Sequence, residues 1–130
     1  MNLRSHAVFF VCFRDSSDKK GEAKAASALG GVHNKMNDND AALEFHRLDL
    51  DLSSTEEQST GVVDYQGKIR ALKNLGATYE AMGKVDEAIT LHEQHLEVAT
   101  QNDDILGKTD ALNCLGKYYK FVPHKTLVST

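Results

Sequence analysis

The sequence is poor in the features that mark secreted, membrane-spanning and nucleic-acid-binding proteins. Its 130 residues include only two cysteines, Cys12 and Cys114, whose separation fits neither a zinc-ligand spacing nor a redox pair. This predicts free thiols in a reducing compartment, and therefore a cytoplasmic location. The longest apolar run, residues 7–13, is too short to cross a bilayer and no small-x-small cleavage site follows it, so we expect neither a membrane span nor a signal peptide. The formal net charge of −4 is spread over interspersed acidic and basic residues, which argues against nucleic-acid binding.

The sequence also lacks the common catalytic motifs. It has no Gly-x-Ser-x-Gly elbow, no phosphate-binding loop and no dinucleotide glycine pattern. His92 and His95 are three residues apart, whereas the zinc-protease motif places its two histidines four apart. We interpret His92 as a packing or hydrogen-bonding residue because it recurs as His46 in an internal repeat, and Cys114 as a small packed residue. We therefore predict that the protein is not an enzyme and binds neither a metal nor a cofactor.

Most of the chain consists of copies of one segment of roughly 40 residues. A shift of 46 residues brings ten identical pairs between 18–50 and 64–96 into register, and a shift of 40 aligns eight residues of 64–79 with 104–119. Helical units of this length bury their apolar faces by stacking on one another. We place full repeats at 18–54 and 64–102 and a half-repeat at 104–121, all within a domain of residues 17–121. An N-terminal segment, 1–16, and a C-terminal tail, 122–130, flank this domain.

Each full repeat is predicted to form two facing helices. In the central copy, apolar residues at helical spacing run from Ile69 to Met82 and again from Val85 to Ala99. Gly83 separates the two stripes, and Asn37 takes its place in the first copy. Glycine and asparagine both adopt the left-handed conformation that ends helices, so the turn is specified in both copies.

The positions of acidic residues and glycines allow further predictions about the helices. We expect Asp18, Asp64 and Asp104 to cap the first helices of the repeats, and Asp40, Asp86 and Glu87 to cap the second helices. Gly30, Gly76 and Gly116 fall in the middle of first helices, where glycine is about 1 kcal/mol less favourable than alanine. We expect close packing against Ala42 or Ala88, twelve residues further on, to offset this.

The polar run 53–60 has no periodicity, and we interpret it as an enlarged loop between repeats. In segment 1–16, His6 falls in the register of His92 and Phe10 in that of Leu96, as in a remnant second helix that caps the stack. At the other end the half-repeat has no second helix, which would leave Leu112, Leu115 and Tyr119 uncovered. We therefore expect either a truncated product or a subunit completed by a neighbour or by self-association.

These repeats resemble the tetratricopeptide repeat. Leu75-Gly76 followed by Tyr79, with Ala88 twelve residues after the glycine, are similar to its signature residues. The period, the Gly-x-x-x-Ala-Leu-x-x-Leu-Gly opening and the His-Glu-Gln-x-Leu run at 92–96 are most similar to the Pins/LGN group of cell-polarity adaptors and, more distantly, to kinesin light chains. The resemblance implies an all-α fold, a right-handed superhelical stack of antiparallel helix pairs with about two and a half repeats.

The resemblance also implies where a partner binds, because the first helices of such repeats line a concave groove that holds an extended or helical peptide. Basic residues of the groove would then face acidic side chains of the partner. Asn74 is replaced by Ala28 and Cys114 in the other copies, so an asparagine ladder along the groove is incomplete. Carried over position by position, the groove residues are Lys24, Ser27, Asn34, Arg70, Lys73, Asn74, Glu80, Asn113, Lys117 and Lys120.

Together these patterns predict a non-catalytic scaffold for protein–protein interaction that binds a partner peptide or helix in the groove. The alternative is a structural subunit of a larger cytoskeletal, motor or ciliary assembly, completed by a neighbouring chain. Both interpretations predict a cytoplasmic or cytoskeleton-associated protein with protein partners and without nucleic acid.

Overall fold

The computed structural model describes residues 18–55 and 61–119, which form five α-helices and no strand. In chain order the helices are α1 (Lys19–Lys35), α2 (Asn39–Ser54), α3 (Tyr65–Ala81), α4 (Val85–Gln101) and α5 (Ile105–Tyr119). Helices α1 and α2 are the first repeat, α3 and α4 are the second, and α5 is the first helix of a third. The predicted segments 1–16 and 122–130 lie outside the described residues.

Each helix packs on the next one in the chain, and α1 also packs on α3. The first helices of the two full repeats therefore lie side by side. Ile69 and Leu72 of α3 and Val98 and Ala99 of α4 form the apolar core, against which Leu50 of α2 packs. One core thus joins both repeats, and the predicted all-α stack of helix pairs is confirmed.

The N-caps of the first helices are also confirmed. The carboxylates of Asp18, Asp64 and Asp104 accept hydrogen bonds from the backbone N–H three residues further on, at 2.9, 3.1 and 2.9 Å. These bonds satisfy N–H groups that have no partner inside the helix, and they fix where α1, α3 and α5 begin. The predicted starts of the half-repeat and of both full repeats thereby have a physical cause.

The predicted caps of the second helices are wrong. Asp38, rather than Asp40, caps α2 and accepts from the N–H of Ala41 at 3.3 Å. Lys84 occupies the cap position of α4 and makes no side-chain cap hydrogen bond. A capping residue lies just outside the helix, whereas Asp40, Asp86 and Glu87 lie within the first turn. There they act only through their charge near the positive end of the helix dipole.

The turn inside each full repeat adopts the predicted left-handed conformation. Asn37 has a φ of 60° and Gly83 a φ of 75°. The same conformation recurs between α4 and α5 at Asp103, with a φ of 53°. This agrees with the expectation that glycine and asparagine end the first helices.

Gly30 and Gly76 pack against histidines, so the prediction of alanine as their closest partner is wrong, and Gly116 has no neighbour at its Cβ position among the described residues. A Cβ atom built on Gly76 would lie 2.5 Å from Cε1 of His92, and one on Gly30 would clash with the ring of His46. Each histidine follows its glycine by sixteen residues and is 1% exposed. The glycine is therefore needed because an imidazole ring occupies the space that a methyl group would fill.

The structure also corrects the edges of the second helix and of the half-repeat. Helix α2 continues through Ser54, and Ser53 is buried within it, so the predicted loop begins later than residue 53 and its part 56–60 lies outside the described residues. Leu112 is 50% exposed as predicted, but Leu115 is only 4% exposed. Leu115 and Ala111 form the buried stripe of α5, which packs on α4.

Candidate partner-binding surface

The predicted groove residues lie on the three first helices. Lys24, Ser27 and Asn34 belong to α1, whereas Asn113 and Lys117 belong to α5. Between them, α3 carries Arg70, Lys73, Asn74 and Glu80. The remaining residue, Lys120, lies outside the described part of the chain.

Two amide side chains join α1 to α3. The amide of Asn74 donates to Oγ of Ser27 at 3.3 Å, and the amide of Asn34 donates to Oγ1 of Thr78 at 3.0 Å. Asn34 also accepts, through Oδ1, from Nε2 of His46 at 2.8 Å. Ser27, Asn34 and Asn74 are thus brought together, and their hydrogen bonds hold α1 and α3 at a fixed distance.

Two ion pairs join α3 to α5. Nζ of Lys73 lies 2.6 Å from Oδ2 of Asp110, and Nζ of Lys117 lies 3.0 Å from Oε2 of Glu80. Both lysines are exposed, with relative side-chain exposures of 47% for Lys73 and 59% for Lys117. Exposed pairs of this kind contribute little to stability, roughly 0–1 kcal/mol. The lysines therefore remain accessible to a partner that offers a competing carboxylate.

Glu80 is the most highly connected of the predicted residues. Its Oε1 accepts from Nε2 of His92 at 2.8 Å while its other oxygen pairs with Lys117. Burial acts to raise the pKa of Glu80, but hydrogen bonds from Tyr118, His92 and Lys117 bring it below the ordinary value. Burial and the hydrogen bond to Glu80 raise the pKa of Tyr118. Glu80 therefore links the second helix of its own repeat to the next first helix as a carboxylate.

Arg70 points toward the preceding repeat rather than toward the other predicted residues. Its Nε and Nη2 atoms contact the two carboxylate oxygens of Asp49 on α2 at 3.0 and 2.5 Å. The side chain of Asp49 is fully buried and that of Arg70 is 29% exposed. Burial raises the pKa of Asp49 in spite of the Arg70 hydrogen bonds, which in turn raise the pKa of Arg70. Arg70 thus compensates a buried charge.

Lys24 and Asn113 are exposed, and no hydrogen bond or ion pair joins either of them to another described residue. They lie on the outer two of the three first helices. The predicted residues therefore fall into three groups: side chains that connect helices, lysines in exposed pairs, and Lys24 and Asn113.

Sequence reasoning missed several polar residues that lie between helices. The guanidinium of Arg47 on α2 donates to the hydroxyl of Tyr79 at 2.5 Å, and the hydroxyl of Tyr119 donates to Glu93 at 2.8 Å. His95 is fully buried, and neither of its ring nitrogens has a hydrogen-bond partner. The repeat register could have indicated His95, because it aligns with Asp49, which lies at the corresponding place between repeats.

The residues considered for catalysis or metal binding have ordinary structural surroundings. His92 bonds to Glu80 and packs on Gly76, which confirms its assignment to packing and hydrogen bonding. Burial, with a contribution from Asp110, raises the pKa of the Cys114 thiol, so the thiolate is disfavoured. Within residues 18–55 and 61–119, no three His, Cys, Asp or Glu side chains are grouped so as to hold a metal ion.

The five helices are each 15–17 residues long. None of those in the described ranges combines the length and the apolar composition that crossing a bilayer demands.

Comparison with known proteins gives a match over part of the chain. The family model for the tetratricopeptide repeat matches residues 71–106, which cover most of α3, all of α4 and the start of α5. A search among curated proteins found no match. Tetratricopeptide repeats generally mediate protein–protein interactions, which is consistent with a scaffold role. Residues 71–106 are therefore similar to a tetratricopeptide repeat, and they lie within a stack of helix pairs in which the Gly–His contact recurs.

Proposed function

We propose that this protein is a non-catalytic adaptor of the Pins/LGN type that binds a peptide or helix of a partner protein across α1, α3 and α5. The observation that carries the proposal is the set of cross-helix contacts between predicted groove residues. Ser27 and Asn74 join α1 to α3, whereas Glu80 and Lys117 join α3 to α5. A surface held by such contacts is pre-organised, so a partner segment bears most of the ordering on binding.

The charges of this surface favour a partner with scattered acidic side chains over a uniformly acidic one. Lys24 is unpaired among the described residues, while Lys73 and Lys117 are each neutralised by a carboxylate of the protein. A partner carboxylate can replace Asp110 or Glu80 in these exposed pairs, forming a charge-assisted hydrogen bond of the same kind. The groove therefore gains selectivity from a few defined positions rather than from a large positive field.

The test is charge reversal at positions that do not support the fold. Arg70 is excluded because its reversal would place a carboxylate beside the buried Asp49. The double variant Lys24→Glu/Lys73→Glu changes two exposed groove residues, and Lys20→Glu/Lys84→Glu is the matched control at two exposed residues outside the predicted groove. Partners are captured by cross-linking in the source cell, and a peptide of the captured partner is then titrated against each variant.

We expect the groove variant to lose the partner, with at least tenfold weaker peptide binding, while helicity by circular dichroism is unchanged. The control variant should bind as the unmodified protein does. Equal binding by the groove variant and the control would remove the groove from the proposal.

A second candidate function is that of a structural subunit completed by a neighbouring chain, in the cytoplasm or on the cytoskeleton. The exposure of Ile105, Leu106 and Leu112 on α5, at 75%, 83% and 50%, favours it. Light scattering after size-exclusion chromatography separates the two candidates. A stable monomer that binds a peptide-sized ligand supports the adaptor, and aggregation that a neighbouring protein prevents supports the structural subunit.

A further inference from the structure

One side of α5 is uncovered in the described structure. Ile105, Thr109, Leu112 and Gly116 recur at spacings of four, three and four residues, so they share one face of the helix. All four are exposed, and a Cβ atom built on Gly116 would have no neighbour within 4 Å. We call these four residues the open face.

Three of these four positions are covered in both preceding repeats, whereas the counterpart of Ile105 is half-buried in α3 (Tyr65) and exposed in α1 (Lys19). Leu112 aligns with Leu72 of α3 and Ala26 of α1, which are 2% and 0% exposed. Gly116 aligns with Gly76 and Gly30, both buried against a histidine ring. The equivalent faces of α1 and α3 therefore show what kind of element covers the open face of α5.

The covering element is the same in both cases. Helices α2 and α4 each place an alanine four residues before a histidine, Ala42 before His46 and Ala88 before His92. Both alanines are 0% exposed and both histidines are 1% exposed. The histidine ring fills the space above the glycine, and its Nε2 bonds to a first-helix residue, Asn34 or Glu80. The pattern Ala-x-x-x-His on an amphipathic helix is therefore the feature that fits this kind of face.

We propose that the open face of α5 binds an amphipathic helix of a partner polypeptide that carries the pattern Ala-x-x-x-His, with the histidine ring seated on Gly116. The binding is of the helix-in-groove kind, with anchors at helical spacing, and continues the packing of α1 on α2 and of α3 on α4. This inference rests on the second candidate function and is independent of the groove.

Gly116 provides a test that does not disturb the fold. In the unbound protein the methyl group of Gly116→Ala would meet nothing, so the substitution favours the helix. With a helix seated as α4 is seated on α3, that methyl group would lie about as close to the histidine ring as the 2.5 Å found at Gly76. The matched control is Gly31→Ala, also a mid-helix glycine with open space at its Cβ position, but on α1.

The probe is a fluorescent synthetic peptide with the sequence of residues 85–101, titrated against the full chain and followed by anisotropy. We expect saturable binding that Gly116→Ala weakens at least tenfold and Gly31→Ala leaves unchanged. A peptide carrying His92→Ala should also bind at least tenfold more weakly. The groove variant Lys24→Glu/Lys73→Glu should bind the peptide as the unmodified chain does.

Three results would overturn the inference. The first is absence of binding, which leaves the groove proposal standing if the groove variant still loses its own partner. The second is equal binding by the Gly116→Ala variant, which would put the peptide elsewhere. The third is a dimer that forms without peptide and that Gly116→Ala dissociates, because a second copy would then occupy the open face.

Discussion

The two junctions between repeats use opposite arrangements of charge at equivalent positions. In the first junction, between α2 and α3, the buried carboxylate of Asp49 is held by the guanidinium of Arg70. In the second junction, between α4 and α5, the same positions in the repeat are occupied by His95 and Asp110. His95 is fully buried and both of its ring nitrogens lack a partner, while Asp110 pairs with Lys73 at the surface.

This difference shows that a repeat can keep its helix packing while its polar contacts change partners. In the first junction, a buried ion pair joins a second helix to the next first helix. In the second junction the acidic residue is Asp110 of α5, and it pairs with the exposed Lys73 of α3. Helix α5 is therefore held mainly by Ala111 and Leu115, without a buried polar contact from His95.

The largest expected effect comes from removing the cation of the first junction. Arg70→Met leaves Asp49 buried without its positive partner, and we expect the free energy of unfolding to fall by about 3–5 kcal/mol. Denaturant unfolding followed by circular dichroism measures the change. The matched control, Lys73→Met, breaks an exposed pair and should lower the free energy by about 1 kcal/mol or less. Equal losses in the two variants would contradict the distinction between the junctions.

Transplanting the first arrangement into the second junction should have the next largest effect. His95→Asp alone buries a carboxylate on the same junction as Asp110, and we expect a loss of about 3 kcal/mol. Adding Asp110→Arg supplies the missing cation and should recover most of that loss. A double-mutant cycle from unfolding free energies measures the coupling, which we expect at about 2–3 kcal/mol. Simple additivity of the two substitutions would show that residues 95 and 110 do not face each other.

Much of this fold could be predicted from sequence because its determinants are local. Asp64 three residues before Gly67, and Gly83 between two apolar stripes, specify a helix start and a helix end through nearby backbone groups alone. Because the repeats align residue by residue, the same assignments could be made in both neighbouring copies. Within the described residues, helix existence and order were consequently correct, with errors at the caps of the second helices and at the end of α2.

The contacts between helices could not be predicted in the same way. The repeat pattern gave Arg70 a place in the groove, yet a long flexible side chain at that position reaches back to Asp49 instead. Likewise, a glycine indicates close packing but does not identify what packs on it, and His92 rather than Ala88 proved to be the neighbour of Gly76. Such choices depend on three-dimensional distances that spacing along one helix leaves open.

Acid should affect the two junctions with opposite sign. Burial lowers the pKa of His95, so the folded state favours its neutral form, and this contribution is present above pH 6.5 and lost as the pH falls. Burial raises the pKa of Asp49, so the folded state favours its protonated form. This contribution to stability is present below pH 3.8 and is lost as the pH rises through the raised pKa.

His46, a buried histidine of the first repeat, indicates how much stability the protein should lose in acid. Burial lowers the pKa of His46 from 6.5 to about 4, which makes the protein about 2 kcal/mol less stable at pH 5 than at pH 7. His95 adds to this loss, so the His95→Leu variant should show a smaller change between the two pH values. Denaturant unfolding at pH 7, 6 and 5 measures it, and an unchanged pH dependence in the variant would mean that His95 does not titrate with folding.

The smallest expected effect is a gain in the free energy of unfolding when one hydroxyl group is added to the second junction. Ser53 donates to Asp49 at 3.2 Å in the first junction, and the residue in the same register of the second junction is Ala99, four residues after His95. Ala99→Ser places a hydroxyl beside the ring of His95, which both donates and accepts hydrogen bonds in its neutral form. We expect a gain of about 1 kcal/mol in the free energy of unfolding.

The gain should depend on the histidine, which gives the prediction its control. In a His95→Leu background the serine hydroxyl can donate only to the backbone carbonyl four residues earlier, as Thr100 and Thr109 do, so we expect the gain of about 1 kcal/mol to be lost. Thermal unfolding of the four proteins in the cycle at pH 7 measures both effects. Gly67 lies against Ser53 in the first junction, and its counterpart Gly107 lies against Ala99 in the second. The space for a serine side chain is therefore expected to be similar in the two junctions. A serine that destabilises the protein equally with and without His95 would mean that the junctions differ in backbone spacing as well as in charge.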